Sequence, residues 1–198
     1  MKTVLYIHGK GGNASESTHY ERLFPDCKVI GLDYKSFSPW ETGKEIHDAV
    51  ASLKTEAESI ILIANSIGAF FCMNANLNGL IEKAYFISPV VNMEKLICDM
   101  MKWANVTEAE LEQRKIITTD FGEELSWEYL CYVRAHPLNW KVPTSILYGE
   151  KDNLTSIETI KDFAEKQGAS LTVMKGGEHW FHTEEEMKFL DEWIGRQK

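Results

Sequence analysis

The 198-residue chain contains no apolar stretch that approaches the roughly 18 residues a membrane-spanning helix needs, so no transmembrane segment is expected. No basic n-region with an apolar h-region precedes the first strand-like run, and no secretory signal peptide is expected. Basic residues are in the minority: 21 Lys and Arg face 30 Asp and Glu, for a net charge of −9. No basic stripe exists to neutralise phosphates, which argues against nucleic-acid binding and disfavours polyanionic substrates. Cysteine is scarce, and Cys27, Cys72, Cys98 and Cys131 lack metal-ligand spacing. Cys72 and Cys131 fall in apolar helical surroundings, where buried free thiols are expected rather than disulfides. A reducing cytoplasm is the matching location. No cluster of His, Cys and carboxylates has metal-site spacing either, and neither a metal nor a cofactor is expected. Internal repeats, low-complexity tracts and linkers are also missing, so residues 1–198 are read as a single domain with a substantial core.

What is present is an alternation of apolar strands and amphipathic helices. Strands are expected near 2–8, 27–33, 59–64, 84–88, 144–149 and 170–174. Helices are expected around 16–23, 42–56, 67–77, 155–167 and 184–195, the last opened by a capping box from Thr183 to Glu186. This alternation implies βαβ crossovers and an α/β fold: a mostly parallel sheet of about six strands with helices on both faces. The stretch 92–142 breaks the pattern. It shows no convincing strand and reads as helices over 93–103, 107–115 and 125–136, ended by Pro137 and Pro143.

Four strings lie at strand ends. Ile60-Ile61-Leu62-Ile63 runs into Ala64-Asn65-Ser66-Ile67-Gly68, a strand, a tight turn carrying a serine, and a helix that starts with small residues. That is the build of a nucleophile elbow, with Ala64 where the G-x-S-x-G pattern has its first glycine. Thr3–Ile7 runs into His8-Gly9-Lys10-Gly11-Gly12, where glycines let backbone amides approach a ligand. The spacing fits neither a P-loop nor a dinucleotide fingerprint, and an oxyanion hole is the other use. Thr144–Gly149 is followed by Glu150-Lys151-Asp152, and Ser170–Met174 by Gly176-Gly177-Glu178-His179. In an open parallel sheet the C-terminal strand ends form one rim, where sites are built. Asp152 is preferred to Glu150 as the acid and His179 to His182 as the base. Ser88 also ends a strand, but Pro89 blocks the helix an elbow needs. His8 is expected to brace its loop rather than to catalyse, and Asp33 to serve a turn.

With these four strings in this order, the chain resembles a compact α/β-hydrolase of the serine esterase type over nearly its whole length. The resemblance implies a Ser66–His179–Asp152 triad, an acyl-enzyme on Ser66, and an oxyanion hole from the backbone amides of Lys10 and Ile67, with Gly11 as the alternative to Lys10. Strands that precede the first one in larger members are expected to be absent. The insertion at 92–142 matches the position of a small helical cap. Its aromatic residues, Trp103, Trp127, Tyr129, Tyr132 and Trp140 among them, are expected mainly to pack the cap. Trp103, Trp127 and Tyr129 are the candidates for lining an apolar pocket above Ser66. The expected activity is hydrolysis of a small carboxylic ester, with monomer and homodimer equally acceptable. Thioesterase, amidase or peptidase, and acyltransferase activities use the same triad, and a ligand-binding relative without turnover is the reading from another class.

Overall fold

The computed structural model describes residues 1–197, which divide into two compact units, 1–91 with 139–197, and Asn92–Leu138. In the first unit, β1 (Lys2–Ile7) leads through a 3-10 turn at Ala14–Ser17 into α1 (Thr18–Glu21) and β2 (Cys27–Leu32). Then come α2 (Pro39–Lys54), β3 (Ile60–Asn65), α3 (Ile67–Asn74) and β4 (Lys83–Ile87). The second unit holds α4 (Met93–Trp103), α5 (Glu108–Arg114), β5 (Ile116–Thr118), β6 (Glu124–Ser126) and α6 (Trp127–Ala135). The first unit resumes with β7 (Thr144–Gly149), α7 (Ile157–Gln167), β8 (Ser170–Met174) and α8 (Glu184–Gln197).

The six long strands form one parallel sheet in the order β2-β1-β3-β4-β7-β8. Side chains alternate between its faces. Val4, Tyr6, Ile61, Ile63, Tyr85, Ile87 and Leu147 share one apolar core with Tyr20 and Phe24 near α1 and with Leu190, Trp193 and Ile194 of α8. The intervening residues, Leu5, Ile7, Leu62, Ala64 and Phe86, are equally buried on the other face. Burial on both faces is what makes these strands read as continuous apolar runs. Because β1 pairs with β2 on one side and β3 on the other, the chain reverses direction across the sheet between β1 and β3. Their C-terminal ends therefore flank the topological switch point, where an open α/β sheet leaves a crevice.

Three expectations need correction. The second unit is not free of strands: β5 and β6 form an antiparallel hairpin with Ile117 opposite Leu125. Strands of three residues are too short to show an alternation, and the helix expected from 125 begins only at Trp127, capped by the Ser126 side chain on the Tyr129 N–H. Trp140 lies in the first unit, where its ring packs on Phe86 and its Nε1–H donates to Thr144 Oγ1 at 2.8 Å. All four cysteines are free, but only Cys72 is buried and Cys131 is exposed. Leu130 is the buried residue of α6, and the next residue points about 100° around the helix from it. No helix among the described residues is long and apolar enough to cross a membrane.

Candidate active site

Ser66 follows the last residue of β3 and precedes the first of α3, with φ 51° and ψ −122°. A non-glycine residue in this conformation carries strain of about 1–3 kcal/mol and persists only where its surroundings hold it. They do so here: Ser66 N–H donates to Ile87 C=O at 3.0 Å, and its own C=O accepts from Val90 N–H at 3.1 Å. The chain turns sharply because Gly68 has no side chain. A Cβ there would lie 2.4 Å from the His8 carbonyl oxygen and 2.9 Å from that of Ile7. The start of α3 thus rests directly on the end of β1. Ala64 is fully buried, consistent with the need for a small residue at this crossing.

Residues from three distant parts of the chain converge on this turn. His179 Nε2 lies 2.8 Å from Ser66 Oγ, and His179 Nδ1 lies 2.7 Å from Asp152 Oδ2. An ionised carboxylate only accepts, so Nδ1 carries the proton and Nε2 presents its lone pair to the hydroxyl. The Asp152 side chain is fully buried. Its other oxygen accepts from the N–H groups of Leu154 at 2.8 Å and Thr155 at 3.0 Å, which leaves Oδ2 aimed at the imidazole.

The loop that carries His179 is anchored on both sides. Gly149 ends β7 where a Cβ would fall 2.3 Å from the Glu178 carbonyl oxygen, so this glycine lets the loop pass over the strand end. Glu186, buried in the first turn of α8, accepts from Glu178 N–H at 2.9 Å, His182 N–H at 3.1 Å, Thr183 N–H at 3.0 Å and the Thr183 hydroxyl at 2.9 Å. Burial opposes its charge, but the Glu178, Thr183 and His182 N–H donors and the Thr183 hydroxyl outweigh it and hold the carboxyl down at about 2. The capping box at Thr183 is therefore present, and the same carboxylate also ties down the residues on either side of His179. That second role has no local sequence signal, since Glu178 lies eight positions upstream.

The glycine-rich loop runs beside the serine: a Cβ on Gly9 would sit 3.2 Å from Ser66 Cβ. Its backbone is held by named groups. Tyr34 O–H donates to His8 C=O at 2.9 Å, and the Tyr34 ring stacks on the His8 imidazole at 4.2 Å. His8 Nδ1 lies 2.8 Å from Gly9 C=O, which also accepts from Gly12 N–H at 3.2 Å. With that carbonyl fixed, the trans peptide turns the Lys10 N–H the opposite way. Ile67 is the first residue of α3, and its N–H is one that a helix leaves without an intrahelical acceptor.

The remaining candidates have other partners. Glu150 accepts from Gly176 N–H at 2.8 Å rather than meeting the imidazole. His182 stacks on Trp180, with Nδ1 at 2.7 Å from the Trp180 carbonyl oxygen. Asp33 accepts from Ala14 N–H, 19 positions earlier, at 2.7 Å, a tertiary contact rather than one within its own turn. Ser88 adopts φ 43° at the end of β4 but opens no helix. Trp103, Trp127 and Tyr129 all belong to the second unit, Trp103 at the exposed end of α4 and the other two in the first turn of α6. Among the described residues no group of three or more His, Cys, Asp or Glu side chains could hold a metal ion.

No protein-family model matches the chain, and no curated protein matches it in sequence. Solved structures do resemble it. Est1E from Butyrivibrio proteoclasticus, 16% identical, aligns over 99% of this chain and 86% of its own with a TM-score of 0.77. Alpha/beta hydrolase domain-containing protein 10 from mouse, also 16% identical, aligns over 98% and 88% with a TM-score of 0.77. An esterase from Pyrococcus furiosus, 19% identical, aligns over 99% and 80% with a TM-score of 0.66. With its parallel six-stranded sheet, the elbow after β3 and this likeness along nearly the whole length, the chain has the α/β-hydrolase fold.

Proposed function

We propose that the chain is a serine hydrolase that cleaves a small carboxylic ester through an acyl-enzyme on Ser66. The observation that carries this reading is the unbroken hydrogen-bonded series Ser66 Oγ, His179, Asp152, at 2.8 and 2.7 Å, built on a strained turn between β3 and α3. An unassisted hydroxyl is a poor nucleophile at neutral pH. As Ser66 Oγ bonds to the ester carbonyl carbon, His179 Nε2 takes the hydroxyl proton and Asp152 stabilises the imidazolium. The carbonyl oxygen, now an anion, is held by the Lys10 and Ile67 amides. Collapse breaks the bond to the leaving oxygen, which receives the proton from His179 and departs as the alcohol. Water then repeats the sequence on the acyl-serine, releasing the acid and restoring the hydroxyl. Trp103, Trp127 and Tyr129 are proposed contributors to acyl selectivity on the strength of their apolar area, tested by Ala variants against p-nitrophenyl esters of increasing chain length.

The decisive test is labelling with a fluorophosphonate probe, with the modified peptide located by mass spectrometry and Ser66→Ala as control. Modification at Ser66 alone, lost in the control, is the expected result. Folded protein that resists the probe and leaves p-nitrophenyl acetate intact would overturn the assignment in favour of ligand binding without turnover.

A further inference from the structure

Ser66 is preceded by Asn65, whose side chain belongs to a chain of polar groups that the triad does not use. Asn65 Nδ2–H donates to the Tyr6 hydroxyl at 2.9 Å, and Tyr6 O–H donates in turn to Glu16 Oε2. Tyr6 lies in β1 and is about 1% exposed. Burial, then the neighbouring Tyr20, then the Glu16 carboxylate all push its ionisation upward, so the phenol keeps its proton. A phenol has one O–H, and it is donated to Glu16. The Tyr6 oxygen can therefore only accept from Asn65, which fixes the amide with Nδ2 toward Tyr6. Asn65 Oδ1 is consequently left buried with no hydrogen-bond partner among the described residues.

The far end of the chain reaches the other half of the site. Glu16 Oε1 accepts from Asn13 N–H at 3.3 Å, immediately after the glycine-rich loop. The same carboxylate packs on the loop itself: a Cβ on Gly12 would lie 2.7 Å from Glu16 Oε1 and 3.0 Å from Oε2. Three side chains thus span from the loop that carries the Lys10 amide to Asn65, two residues before Ile67. An oxyanion hole built from two separate segments works only if their spacing is held; the β1–β3 pairing and the packing of Gly68 on His8 fix the strand ends, and the side-chain series adds a tie to the loop beyond them. A buried, unpaired amide oxygen is itself destabilising. Keeping it beside Ser66 makes sense if the amide serves the site rather than the core.

We propose that Glu16, Tyr6 and Asn65 are positioning residues that set the separation of the two oxyanion-hole segments. None touches the reacting atoms; they act through the backbone of residues 10–12 and 65–67. The inference rests on the reading of Ser66 as the nucleophile. Misplacing a catalytic group by about 1 Å costs on the order of 100-fold, so loosening this link is expected to slow the reaction about 10- to 100-fold.

The test uses the full chain and two variants of opposite structural consequence. Tyr6→Phe keeps the ring in the core and removes the link. Asn65→Leu removes the link together with the unpaired oxygen, while Tyr6 keeps its acceptor on Glu16. The second-order rate of fluorophosphonate modification of Ser66 is compared with the thermal midpoint of each protein, since the phosphonyl oxygen enters the oxyanion hole as Ser66 Oγ displaces fluoride. The expected result is a rate lower by about 10- to 100-fold in both, with Asn65→Leu melting at or above the wild-type midpoint. With p-nitrophenyl acetate, kcat falls and KM holds. Glu16→Gln, whose single amide oxygen can serve the Tyr6 hydroxyl or the Asn13 N–H but not both, keeps only part of the rate that Glu16→Ala loses. Variant rates within twofold of wild type overturn the proposal, as does a loss of rate that merely tracks a loss of midpoint. Wild-type protein that is not modified at Ser66 overturns the nucleophile reading, and this inference with it.

Discussion

Glu186 provides a quantitative check on how the histidine loop is held. Its carboxyl titrates at 4.5 when unperturbed and at about 2 in the fold. The side chain is 5% exposed, so solvent screening takes little from its interactions. The drop corresponds to about 3 kcal/mol of stability at neutral pH. Because the folded value lies below the unfolded one, this stability is fully present above pH of about 5.5 and is lost as pH falls through 4.5 toward 2. At pH 3 about 2 kcal/mol of it should be gone. Glu186→Gln cannot reproduce the native arrangement, because both oxygens accept from N–H groups and an amide turns one of them into a donor. Urea unfolding followed by tryptophan fluorescence at pH 7, 5, 4 and 3 measures the difference between wild type and variant. The expected gap is about 2–3 kcal/mol at pH 7 and shrinks by about 2 kcal/mol at pH 3. A gap independent of pH, or one below about 0.5 kcal/mol at pH 7, would refute the view that this carboxylate anchors the loop through its charge.

Asp152→Asn should leave the fold intact, since the amide oxygen still accepts from Leu154 and Thr155, yet its NH2 group faces His179 Nδ1 and selects the wrong tautomer. Turnover of p-nitrophenyl acetate is expected to fall by about 10⁴, and near-normal activity would remove Asp152 from the mechanism. Gly68→Ala places a Cβ against two backbone oxygens and should cost at least about 2 kcal/mol in denaturant unfolding. Gly195→Ala, with nothing within 4 Å of the new atom and a helical position in α8, should instead stabilise by about 0.5–1 kcal/mol. His8→Ala removes one of the two contacts on the Gly9 carbonyl, leaving Gly12 N–H, and should lower kcat about tenfold at unchanged KM, a split that a steady-state titration with p-nitrophenyl acetate reads directly.

Much of this molecule is legible in its sequence because the buried parallel strands at the centre of the sheet are largely apolar runs. The expected strand at 59–64 lies within a residue of Ile60–Asn65, and 170–174 coincides with Ser170–Met174. Local pattern also identifies the serine turn, since the small residues Ala64 and Gly68 stand two positions either side of Ser66, although the carbonyls Gly68 makes room for belong to Ile7 and His8. Where the decisive contact is distant, the sequence is silent. The hairpin of β5 and β6 has three residues per strand, too few for a period of two to emerge. Tyr6 reads as one more apolar strand residue, and only the fold reveals that its hydroxyl joins Asn65 to Glu16.

Ser66 and His179 are separated by 113 positions, and Asp152 lies 27 before the histidine. Alternating strands and helices predict that all three follow C-terminal strand ends, hence lie on one rim. Proximity along that rim is another matter, because β4 lies between β3 and β7 in the sheet. The gap is closed by what happens beyond the strands: Gly149 lets the residues around Glu178 fold back over the end of β7, and Glu186 holds them there. The histidine reaches the serine because two residues outside the triad shape its loop. Substitutions at Gly149 and Glu186 should therefore weaken the Ser66–His179 contact while leaving the sheet intact, and nucleophile reactivity should fall before secondary structure does.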